Sequence, residues 1–206
     1  MRNNPYVILF LFYSLFFTNC GKEIKHWTFR PNETTGKDAI ISHGNPLENF
    51  SSSGMLHMLS LSTNDSIPND QRFLIRFGFR TIPENTEVDS AFIYLFALDP
   101  GHFGKNNSFI SYEIDELWIT REVNWENQPS VRENSLKEFD EPIDEYQNYK
   151  IDVTDYINNV LRKKIENHGH LFRLKDEKKS YKGIKFHSSN SKTESLRPKL
   201  EVFYQE

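Results

Sequence analysis

Cysteine is all but missing. Cys20 is the only one in the 206 residues, so no internal disulfide can staple the fold. Positive charge is not in surplus either: 25 Lys and Arg face 29 Asp and Glu, a formal net charge of -4, with the two signs interspersed. That balance removes any electrostatic case for nucleic acid, which asks for a basic face, or for a polybasic membrane patch. No Gly-x-Ser-x-Gly elbow, HExxH helix, phosphate loop or dinucleotide fingerprint occurs. The seven histidines carry no zinc spacing; His168 and His170 are the nearest pair, with no third ligand close in sequence. A carboxylate pair for glycoside hydrolysis is defined by distance in space, so the acidic residues alone neither select nor reject it. Repeats and low-complexity tracts are lacking too. The chain reads as a binding protein without a catalytic centre.

Long apolar runs are limited to one. Tyr6 to Phe17 (YVILFLFYSLFF) follows Arg2, and at about a dozen residues it is too short to span a bilayer but suits a signal-peptide core. Cys20 stands just behind that run, where a bacterial lipoprotein has its cleavage site and the cysteine becomes the lipidated first residue. Thr18 and Asn19 occupy positions where Ala, Gly or Ser are usual, and the alternative is an ordinary signal peptide with an incidental cysteine. The expected organisation is a signal peptide over 1–20, a tether over 21–27 and one folded domain over 28–206, exported and anchored in the cell envelope through Cys20.

What is present in quantity is aromatic: 17 Phe and 9 Tyr, enough for a packed core although only 37% of the chain is hydrophobic and 26% is charged. Short segments rich in aromatic and β-branched residues recur between turn signals. They include 38–42, 55–61, 73–79, 91–98, 109–117, 149–153, 170–174, 183–187 and 200–204. Many short strands at near-regular spacing predict an all-β, antiparallel, jelly-roll-like β-sandwich. One short amphipathic helix interrupts them. Over 152–168, Val153, Tyr156, Ile157, Val160, Leu161 and Ile165 form one apolar face, with Asp152 or Thr154 to cap its start and Gly169 to end it. It either docks a partner or packs across one end of the sandwich, and the second is the simpler use of that face. The polar stretch 132–149 reads as a long loop.

Several motifs line up in order along almost the whole domain. They run from Gly36-Lys37-Asp38-Ala39 and Asn49-Phe50-Ser51-Ser52-Ser53 to Arg72-Phe73-Leu74-Ile75-Arg76-Phe77. Then come Trp118 and Asn124-Trp125-Glu126-Asn127-Gln128-Pro129, followed by His168-Gly169-His170-Leu171 and Arg197-Pro198-Lys199-Leu200. Together they resemble the DNRLRE domain, also described as carbohydrate-binding module family 96. The resemblance implies a jelly-roll-like sandwich on a surface protein and a polysaccharide as ligand. A protein that docks another cell-envelope protein is the alternative, and a polysaccharide lyase or hydrolase ranks third.

Sugars are held by aromatic faces and by polar side chains that bond their hydroxyls. Trp118, Trp125, Tyr112 and Tyr146 are the candidate carbohydrate contacts, although a Trp inside a shared motif equally suits a core position. No cofactor is required. Calcium, which takes several oxygen ligands, is the metal to consider, with Asp38, Asp99, Asp140 and Asp144 as candidates. The spacing of Asp140, Glu141, Asp144 and Glu145 is not that of an EF-hand, Pro142 lies among them, and a solvated acidic loop accounts for the cluster as well.

Overall fold

The computed structural model describes residues 24–31, 36–61, 68–177 and 181–205. Cys20 and the expected signal peptide lie outside the described residues. In chain order the strands are β1 (Ile24–Phe29), β2 (Gly36–Ser42), β3 (Met55–Leu61), β4 (Asp70–Phe77), β5 (Val88–Leu95), β6 (Phe109–Glu113), β7 (Lys137–Phe139), β8 (Tyr149–Asp152), β9 (His170–Leu174), β10 (Tyr181–His187) and β11 (Lys199–Gln205). The helix α1 (Thr154–Leu161) follows β8. Four strands form one sheet in the order β1-β11-β5-β8; the other seven form a second sheet built around β4. Every pairing is antiparallel. This is the expected all-β sandwich.

Alternation along the strands supplies the core. Ala91, Ile93 and Leu95 of β5 and Leu200 and Val202 of β11 face inward from the four-stranded sheet. Phe73, Ile75 and Phe77 of β4, Phe109 of β6, Phe172 of β9 and Phe186 of β10 meet them from the seven-stranded sheet. Phe73 and Phe172 are register partners and stack with centroids 4.7 Å apart. β4 is the hinge of the topology. It pairs with β2 from Gln71 to Phe77, while its other edge is shared by β3, at Asp70 and Gln71, and by β9, at Phe73 to Ile75. Its central residues Phe73, Leu74 and Ile75 are all 0% exposed, so this strand is covered on both faces at its centre. The outer cover is the segment 114–131, whose Ile114, Trp118 and Val123 pack on Ala39, Ile41, Leu74 and Leu171 in a second apolar cluster.

The helix closes one end of the sandwich. Tyr156, Ile157 and Leu161 enter the core, and the Asn158 amide clasps the backbone of Val88 from both sides. The Asp152 carboxylate accepts the Thr154 backbone N–H at 2.8 Å at the helix start. The helix is shorter than its apolar periodicity predicts. It stops at Leu161, and Lys163 at φ +54 turns the chain out of the helix. Gly169 therefore does not end it. At φ +86 it passes so close to β4 that an added Cβ would lie 2.2 Å from the Ile75 carbonyl oxygen. The 132–149 stretch also departs from expectation, because β7 within it pairs with β6. β1 begins at Ile24, inside the stretch expected as tether. Among the described residues no helix is long and apolar enough to cross a membrane.

His170 sits in the core, with the Tyr156 ring edge-on at 4.5 Å. Burial, with Lys137 as a lesser influence, lowers its pKa from 6.5 to about 3. A folded-state value below the unfolded one means that its contribution is present above the unfolded pKa and is lost as pH falls through the folded pKa. Urea midpoints measured between pH 7 and pH 4 are expected to fall with acidification, this residue contributing about 1.4 kcal/mol per pH unit below about 6. His170→Leu is expected to flatten that slope; an unchanged slope would count against the assignment.

Candidate functional site

The outer face of the seven-stranded sheet is only partly roofed by the 114–131 segment, and what remains open is a groove. The roof is pinned at both tryptophans. Trp118 is 4% exposed and donates its indole N–H to the His168 carbonyl at 2.8 Å. Trp125 is half-buried, with the His43 ring stacked parallel at 4.8 Å and the Arg72 guanidinium 4.5 Å from its centroid. The asparagines around it tie the turn. Asn124 Oδ1 accepts from the backbone N–H groups of Glu126 and Asn127, and the Asn127 amide donates to the Glu122 carbonyl. Asn49 reaches over from the β2–β3 connection to donate to the carbonyls of Thr120 and Val123.

Beside this roof the groove has a volume of about 620 Å³, with Arg72 from β4, Leu171 and Arg173 from β9 and Tyr112 from β6 along its floor. Arg72 lies at the junction of its walls. Its Nε and Nη2 donate to the two oxygens of Glu177, both at 2.8 Å, and its Nη1 donates to Gln128 Oε1 at 2.7 Å. Arg173 pairs more loosely with Glu177, at 3.6 Å, and spreads over the Tyr112 ring at 5.9 Å. On the far wall Glu116 accepts the Ser130 backbone N–H at 2.7 Å. With Glu133 at the rim, two guanidinium groups face three carboxylates, so the groove is strongly polar yet close to neutral. Planar donors and acceptors held in place by their neighbours suit a ligand rich in hydroxyls.

The chain matches the model of carbohydrate-binding module family 96 over residues 30–204. It belongs to that family. No curated protein matched the chain.

Within this family-96 module the candidate residues fall in four places. Trp118 and Trp125 hold the roof of the groove, and the Trp118 ring is enclosed by it. Tyr112 is 9% exposed and lies in the groove floor under Arg173. Tyr146 is remote from the groove, 52% exposed in the acidic loop, where its backbone N–H bonds Asp144 Oδ1 at 2.7 Å. The four aspartates do not converge. Asp38 is buried at the inner side of β2 and accepts two hydrogen bonds from Ser189, at 2.7 and 2.8 Å. Burial raises its carboxyl to about 6 against the effect of those bonds. Asp140 and Asp144 are exposed in the acidic loop with Tyr146, and Asp99 is exposed close enough to act on the Tyr146 hydroxyl. Among the described residues no group of three or more His, Cys, Asp or Glu is arranged to hold a metal ion. Sequence reasoning missed Arg72, Arg173 and Glu177, which meet across 105 residues of chain between Arg72 and Glu177. The single visible signal was an arginine, Arg72, immediately before the apolar run Phe73-Leu74-Ile75.

The two tryptophans differ in what they anchor, and truncation separates them. Trp118→Ala, in the closed second cluster, is expected to cost about 3–5 kcal/mol in chemical denaturation. Trp125→Ala, half-exposed, is expected to cost about 1 kcal/mol. Equal costs would mean that the roof is not hung from Trp118.

Proposed function

We propose that the protein is a non-catalytic polysaccharide-binding module that works outside the cytoplasm and is held to the cell envelope by lipid on Cys20. The carrying observation is the open polar groove, in a member of a carbohydrate-binding family, with Arg72, Arg173 and Gln128 presented across its width. A glycan laid along it meets the Arg173 guanidinium, spread over the buried Tyr112 ring on the floor, and fixed polar groups on the walls. Arg173 is the adjustable member, since its contact with Glu177 is longer than that of Arg72. Binding without chemistry is consistent with where the carboxylates point: Glu177 is engaged by Arg72, and Glu116 by a backbone N–H. The exported location rests on the apolar run 6–17 and on the cysteine behind it.

Affinity electrophoresis in gels containing laminarin, xylan, galactomannan or polygalacturonate tests the binding. The wild type is expected to be retarded by at least one of them. Arg173→Ala is expected to weaken that retardation about tenfold, a loss of about 1.4 kcal/mol, without lowering the thermal midpoint. Free migration of the wild type in every gel would overturn the reading. For the anchor, Cys20→Ala expressed in a bacterial host is expected to lose labelled-palmitate incorporation and to leave the membrane fraction. Continued membrane association of that variant would argue for a different attachment.

A further inference from the structure

The outer face of the four-stranded sheet has no role in the groove, yet it is not an ordinary solvent face. Because Ala91, Ile93 and Leu95 point inward, the alternate residues Phe92 and Tyr94 of β5 point out, as does Phe203 of β11. All three are only half-buried, so aromatic surface stays in contact with water at a cost that nothing in the core offsets. The registers set them out on a grid. Glu201 and Asp152 flank Phe92 on the two neighbouring strands, and Lys199 and Lys150 flank Tyr94 in the same way. Phe203 faces Ser90 on one side and His26 on the other. The Phe92 and Phe203 centroids are 6.4 Å apart, and the His26 ring stacks on Phe203 at 5.7 Å.

Each ring thus has a donor or an acceptor next to it. Lys150 Nζ rests 3.8 Å from the Phe92 centroid, and Lys199 Nζ lies 4.4 Å from that of Tyr94 and 2.6 Å from Glu201 Oε1. Lys150 is exposed, where a cation–π contact is weak, so a ligand can take over its ring face and amine at little cost, whereas Lys199 and Glu201 are largely enclosed and keep the Tyr94 side of the face rigid. The charges nearly balance, Lys150, Lys199 and the neighbouring Lys137 against Glu201 and Asp152, which offers little net attraction to a polyanion. A protein partner would call for a broader continuous apolar patch than rings separated by ions. A pyranose chain has the matching pattern, apolar C–H faces bordered by hydroxyl edges.

We propose that this face is a second carbohydrate-binding surface, taking an uncharged glycan chain across Phe92, Tyr94 and Phe203. It lies on the opposite side of the sandwich from the groove, so the two surfaces can be occupied together and one molecule can bridge two polysaccharide chains. This inference rests on the carbohydrate-binding reading above.

Bridging supplies the test. The whole protein is loaded on beads bearing galactomannan or xylan, and capture of the same polysaccharide, fluorescently labelled and soluble, is then measured. The wild type is expected to be retained and to capture the labelled chain. The Phe92→Ala/Phe203→Ala variant is expected to lose capture about tenfold or more while keeping its thermal midpoint and part of its retention on the beads. If that pair unfolds, Tyr94→Ala decides the case on the same readout. Retention and capture equal to wild type in the folded variant would overturn the second surface and leave the groove standing. Failure of the wild type to bind either bead would overturn the second surface, whereas the groove falls only if the wild type also migrates freely in every polysaccharide gel.

Discussion

Burial of β4 on both of its faces is the constraint from which the rest follows. Phe73 and Ile75 are covered by the opposing sheet, as in any sandwich, but Leu74 points outward and is just as fully buried. A sheet of seven strands facing one of four leaves outer apolar surface that water would penalise. The chain meets that demand by folding 114–131 back over Ala39, Ile41, Leu74 and Leu171 and by sealing the edge with Trp118. The roof reaches only part of the way along the sheet. Where it stops, the outward residues change from Leu74 to Arg72 and from Leu171 to Arg173, and the groove begins.

The groove and the aromatic face are consequently two solutions to different packing problems. On the seven-stranded side, arginine guanidinium groups are already engaged by Glu177 and Gln128, which holds their donors in fixed directions before any ligand arrives. Such preorganisation lowers the ordering cost of binding. On the four-stranded side Lys199 is held by Glu201 at 2.6 Å and Lys150 lies 3.8 Å over Phe92, beside an array of rings locked by strand register and by the inward packing of their neighbours. One surface presents directed hydrogen-bonding groups, the other apolar area bordered by charged side chains.

Much of the architecture was legible in the residues. Strand periodicity and turn signals identified the sandwich, and the apolar stripe through Tyr156, Ile157 and Leu161 identified the helix and its core-facing side. The misreadings share a cause. The helix stripe continues to Ile165, but the backbone leaves the helix at Lys163 to deliver His168 and His170 to the β4 edge, a tertiary demand that no local pattern announces. β7 is three residues of mostly polar composition that become a strand only because β6 offers an unpaired edge. Among the candidate contacts, nothing local distinguished Trp118, whose ring closes a core, from a tryptophan left open to ligand.

The sequence by itself determined the fold class, through strand periodicity and turn signals, and the core-facing stripe of the helix. These are properties of composition and short-range pattern, and each can be read from a window of a few residues. Only the tertiary structure decided which polar residues share a groove and which aromatics share a face. Arg72, Gln128 and Glu177 are 56 and 105 residues apart along the chain at their contacts, and Phe92 meets Phe203 through strand register. Antiparallel pairing and the closure of the outer roof bring them together. Such long-range contacts depend on the whole set of buried surfaces being satisfied at once, and no single segment carries that information.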